Sequence, residues 1–95
     1  MTREEFEKWN EALERETGFL SGGWERTSAY RAGLALGPAL VPHLIRGLES
    51  DAGSWPWIGL LVEILGGPNL DEIRGRWPLV RDRYVEWYWG EFRDG

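Results

Sequence analysis

The stretch "PALVPHLIRGLES", residues 38–50, decides how the chain is read. Leu40, Val41, Leu44, Ile45 and Leu48 recur at i, i+1, i+4, i+5 and i+8. That is one apolar stripe along an α-helix, not the alternation of a strand. Pro42 falls in the first turn or so, where a missing N–H matters less than in the interior. His43 and Arg46 lie on the opposite face. Upstream, Gly37-Pro38 is a break in which glycine ends one helix and proline begins the next.

Working outward, "SAYRAGLAL" at 28–36 predicts a short helix capped by Ser28. Tyr30 and Leu34 share a face, and Gly33 weakens the segment. "DAGS" at 51–54 is a turn, and "WPWIGLLVEILG" at 55–66 is a further helix with Pro56 at its first position. Trp57, Ile58, Leu60, Leu61, Val62, Ile64 and Leu65 cover nearly its whole circumference, which predicts a central helix. Gly59, Glu63 and Gly66 share the remaining face, fit for a close approach or a narrow solvent strip. At the start, Thr2 and Glu5 have capping-box spacing, and Phe6, Trp9 and Leu13 form a stripe over residues 2–16. Gly18 is the stop, and "SGGW" at 21–24 is a loop. Toward the end, "GGPN" at 66–69 is a loop, and Asn69 with Glu72 repeats the cap spacing. A turn of helix through Gly75 follows, Trp77-Pro78 interrupts it, and residues 78–92 form the last helix. The expectation is an all-α single domain, 1–95, of about five short antiparallel helices.

Composition narrows the function classes. The chain has no cysteine and one histidine, which excludes disulfides, thiolate metal sites and zinc sites needing two imidazoles. No stretch approaches the roughly 20 apolar residues of a membrane span. The charged first helix is not a signal peptide, so a cytoplasmic setting is expected. A net charge of −5 argues against direct nucleic-acid binding and suits solubility or a basic protein partner. Seven tryptophans are more than 95 residues readily hide, a first sign of a contact surface.

At "LALGPALVPHLIRGLESD", 34–51, the chain resembles a HEAT-type helical repeat. Leu36, Gly37, Pro38, Pro42, Leu44, Ile45 and Leu48 occupy the places of that pattern. The following "WPWIGLLVEILGGPNL" looks like the first helix of a next unit, with bulky tryptophans where small residues are common. The stretch from about Ala29 to Gly90 is also similar to short bacterial proteins with related tryptophan and glycine spacing, the matching pieces being Trp55, Trp57, "EILGGPNL", Gly75 and "YVEWYWG". The HEAT-like resemblance implies helical hairpins and a habit of offering edge or concave surfaces to partners, not a reaction. About one and a half units are present, so stacking on a partner or on a second copy is implied too.

Chemistry-bearing residues are few. His43 is the one side chain with an ordinary pKa near neutrality, and no nucleophile or carboxylate is paired with it by motif. Glu63 is the lone charge in an apolar helix, open to solvent along its strip or paired with Arg31, Arg46 or Arg81. The glycines lack the context of a phosphate loop. Arg74, Arg76, Arg81 and Arg83 form a basic spot diluted by Asp71, Glu72, Asp82 and Glu86. No cofactor and no metal is expected.

The expected role is non-catalytic protein–protein interaction, as an accessory subunit, adaptor or inhibitor in a bacterial or phage system. Trp87, Tyr88, Trp89 and Phe92 are the expected contact residues, with Trp77 and Trp55 second. At 100° per residue Val80, Tyr84, Val85, Trp87, Tyr88, Trp89 and Phe92 sweep an arc of roughly 200°, wider than one core stripe. Tyr84 and Tyr88, then Phe92, turn inward, and at least one of Trp87 and Trp89 lies at an edge. The alternative is an acidic inhibitor whose first helix presents Glu4, Glu7, Glu11 and Glu14 to a basic groove of a nucleic-acid-binding protein such as a nuclease. Glu4–Lys8 and Glu11–Arg15 pairs would make that face merely solvated. A weaker alternative is an enzyme using His43 or Glu63.

Overall fold

The computed structural model describes residues 1–93. Among them the chain forms five α-helices and no strand. They are α1 (Arg3–Thr17), α2 (Ser28–Leu36), α3 (Val41–Glu49), α4 (Trp55–Leu65) and α5 (Trp77–Trp87). Single 3₁₀ turns occupy Trp24–Arg26, Gly37–Ala39 and Asp71–Ile73, and a π-helical segment, Tyr88–Arg93, continues α5.

The helix starts follow from local chemistry. Thr2 and Glu5 close the expected capping box. Helix α2 is capped by Thr27, not Ser28: its hydroxyl accepts from the Tyr30 amide. Glu16 reaches across from the end of α1 to accept from the Ser28 hydroxyl at 2.9 Å and the Ala29 amide at 3.0 Å. These bonds hold its carboxyl below the usual range, the Ala29 amide contributing most. In α3, α4 and α5 the second residue is proline (Pro42, Pro56 and Pro78), so Pro56 does not stand first. An N–H there has no partner within the helix, so its absence loses no bond. For the same reason Trp77-Pro78 opens α5 and does not interrupt a helix. Gly37-Pro38 is a separate 3₁₀ turn ahead of α3. The Asn69–Glu72 capping box does not form: the Asn69 side chain accepts from Asp71 two residues on, and only a 3₁₀ turn follows.

The α3 stripe is the floor of the core. Leu40, Val41, Leu44, Ile45 and Leu48 are all buried. Helix α2 packs on α4 and α3 on α5, while α3 also packs on α4 and α4 on α5. Each of α2 and α3 thus lies against one helix of the following α4–α5 pair. Helix α1 packs along α2. It sends Trp9 to donate its indole N–H to the Ala29 carbonyl at 2.8 Å, and Asn10 to accept from Trp57 at 2.8 Å. Both buried tryptophans thus have their polar atom satisfied. Trp57 lies over Gly47, where a Cβ would come within 2.5 Å of its ring. Helix α4 is central at Trp57, Ile58, Leu60 and Leu61 but not all round, because Trp55 and Val62 are 36% and 42% exposed.

Candidate functional site

The π-helical segment sets the C-terminal surface. Its hydrogen bonds run i to i+5, so each turn holds more residues than the 3.6 of an α-helix. Phe92 is thereby rotated back toward Trp87. Its ring lies 5.8 Å from Trp87 and stacks on Tyr88 at 5.4 Å and 21°. Trp87 in turn touches Tyr84 at 5.3 Å, and Tyr88 meets Trp89 edge-on at 5.1 Å. Five rings therefore form one connected chain.

Its members divide between inside and outside. Tyr84 and Tyr88 are buried, as the helical projection places them, so Tyr88 is not a surface contact residue. Phe92 stacks on Tyr88 but is 44% exposed, so, against expectation, it does not join the core. Trp89 is 45% exposed and Trp87 half-buried. The two tryptophans leave the helix on different sides. Trp87 lines an open groove of about 660 Å³ with Arg83, Glu86, Gly90 and Glu91, facing Pro68 and Asn69. Trp89 lines a hollow of about 140 Å³ against Pro42, Ile45, Arg46 and Glu49. Its indole N–H donates to Glu49 at 3.2 Å, and the Arg93 guanidinium lies 5.8 Å from its ring.

Trp55 and Trp77 form a separate edge-to-face pair at 5.1 Å. Trp55 borders a second groove of about 390 Å³ with Ile58, Val62, Leu70 and Val80. Pro68 and Asn69 border both grooves. The 66–70 loop, whose Gly66 carbonyl accepts from the Tyr84 hydroxyl at 2.6 Å, is thus the partition between them.

Glu4, Glu7, Glu11 and Glu14 are all exposed on α1. Glu4 pairs with Lys8 at 3.8 Å as expected, and Glu7 pairs with Arg3 at 3.2 Å. Among the described residues Glu11 and Arg15 form no ion pair. Arg81 leaves the basic spot to pair with Asp51 in the α3–α4 turn and with Asp82 at 3.1 Å.

His43 stacks on Phe6 at 5.1 Å, and its Nε2 lies 3.2 Å from the Met1 carbonyl. Glu63 pairs with no arginine: it accepts from the Tyr30 hydroxyl. Gly59 makes room for that hydroxyl, which a Cβ there would meet at 3.0 Å. The shared face of Gly59 and Glu63 is therefore a seat for a tyrosine. Burial first, then the Glu63 carboxylate, pushes the Tyr30 phenol well above its ordinary value. Burial does the same to Tyr84. Among the described residues no cluster of His, Asp and Glu could hold a metal ion, and no helix is long and apolar enough to cross a membrane.

Phe19, in the α1–α2 loop, is 98% exposed, with Leu20 at 43% beside it. The sequence signal was available: an apolar pair outside any helical stripe, between Gly18 and Gly22. No family model matches this chain, and neither a curated protein nor a solved structure does so.

Proposed function

We propose that this protein is a non-catalytic protein–protein interaction module that presents the aromatic surface of its C-terminal helix. The observation that carries this reading is the linked ring chain. Trp89 and Phe92 are nearly half exposed yet packed on the buried Tyr88. Rings held in this way lose little further freedom on binding, which is the property of interface anchors. The packing of α2 on α4 and of α3 on α5 supports the HEAT-like reading and its edge-binding habit. An accessory subunit, adaptor or inhibitor fits this role, in the cytoplasmic setting expected from the sequence.

Affinity capture from the native host tests it. Wild-type protein retains a partner that the Trp89→Ala/Phe92→Ala variant loses, with helical content unchanged by circular dichroism. Retention of the same partner by that variant refutes the reading.

A second reading is favoured by the four exposed glutamates on one helix: an acidic inhibitor acting through α1. Its binding would weaken steeply between 50 and 500 mM salt, since exposed charges are screened over about 10 Å at 0.1 M. Salt-insensitive binding removes it.

A further inference from the structure

The groove beside Trp87 carries a more specific chemistry than the exposed rings. Arg83, Glu86, Trp87, Gly90 and Glu91 follow i, i+3, i+4, i+7 and i+8. They line this groove together and form a second face of the terminal helix, distinct from the buried Val80–Tyr84–Tyr88 face. At about 660 Å³ it falls within the ordinary range of ligand pockets, roughly 300–1,000 Å³. Trp87 is half-buried, fixed by ring contacts with Tyr84 and Phe92. Glu86 and Glu91 supply two exposed carboxylates to the same groove, and Arg83 supplies one positive charge. A fixed indole beside two carboxylates suits a cationic side chain, which gains from the ring face and from charge-assisted hydrogen bonds. The protein's net charge of −5 adds long-range attraction for such a partner.

We propose that this groove receives an arginine side chain from a basic segment of the partner protein, against Trp87 and between Glu86 and Glu91. Arg83 repels a second positive charge at its own position and so fixes how the segment lies. This rests on the interaction role proposed above and names the partner's chemistry.

Gly90 supplies a clean obstruction. Gly90 lines the groove and a Cβ there meets nothing within 4 Å, so Gly90→Leu adds bulk at the groove wall from an uncrowded position. The probe is an acetylated, amidated peptide of alternating glycine and arginine, titrated into ¹⁵N-labelled protein, with glutamate replacing arginine as the control. Saturable shifts centre on the Trp87 indole N–H and the Gly90 and Asn69 amides. Affinity falls about tenfold, roughly 1.4 kcal/mol, in Glu86→Gln/Glu91→Gln and in Gly90→Leu, while the control peptide gives no shift. Shifts centred on the α1 glutamates, affinity that survives Gly90→Leu, or no shift at millimolar peptide overturns the proposal. Sedimentation gives a monomer; a dimer that Gly90→Leu dissociates would make a second copy the occupant and overturn it equally. If the peptide fails while capture still depends on Trp89 and Phe92, the groove assignment falls and the interaction role stands. Capture insensitive to those two residues, with the peptide still seated, rejects the interaction role instead.

Discussion

At the scale of single residues, Gly47 shows how a tight ring contact is built. Trp57 is held on one side by its hydrogen bond to Asn10 and on the other by the bare backbone at Gly47. Alanine there would push into two ring atoms that have nowhere to move, a strain of about 1–3 kcal/mol. The gain in helix propensity, about 1 kcal/mol, offsets part of it. Gly47→Ala is therefore expected to destabilise by up to about 2 kcal/mol in urea unfolding, with an unchanged m-value. Such contacts were not legible in the sequence. Gly47 lies in a strong helical pattern and nothing nearby names Trp57 as its neighbour. The same holds for Glu63, whose partner Tyr30 lies 33 positions earlier. By contrast the inward direction of Tyr84 and Tyr88 was legible, because helical periodicity alone sets it.

At the scale of elements, helices whose ends carry local signals were legible, and ends satisfied from a distance were not. The Thr2–Glu5 box was readable because both partners lie within one turn. The carboxylate at the start of α2 comes from Glu16 at the end of α1, more than ten positions away. Glu16→Gln should lower the thermal midpoint near neutral pH. The folded carboxyl sits below its unfolded value, about 4.3 for glutamate, so its contribution is full above that pH. It declines as pH falls through the folded value, so wild type and variant converge in acid. Thermal melts between pH 2.5 and 7 check this, and a constant gap across that range contradicts it. The last element misled the sequence reading for a different reason. A constant 100° per residue cannot anticipate the π register of Tyr88–Arg93, which brings Phe92 beside Trp87.

At the scale of the molecule, the α3 stripe and the aromatic edge do separate jobs. Leu44→Ala removes a fully buried side chain from the core and is expected to cost about 2–5 kcal/mol. Trp89→Ala removes a ring that is 45% exposed and is expected to change stability by less than about 1 kcal/mol. Urea midpoints of the two variants, measured side by side, check the contrast. A Trp89→Ala loss as large as that of Leu44→Ala would make the edge part of the core. The all-α class was legible because helical apolar spacing, caps and helix-opening prolines recur along the chain, with almost no strand alternation. The two grooves were not, because the 66–70 loop that divides them is placed by a tyrosine from α5.

The burial of Val80, Tyr84 and Tyr88 also bears on how the chain is made. These residues cover α3, yet they leave the ribosome after it. Tyr84 follows Leu48 by 36 positions, roughly 2–7 s at about 5–20 residues per second. Throughout that interval the clearest amphipathic stripe in the sequence is synthesised but lacks the part of its cover that α5 supplies. A nascent chain stalled within this window would offer chaperones the α3 face that the finished protein never shows.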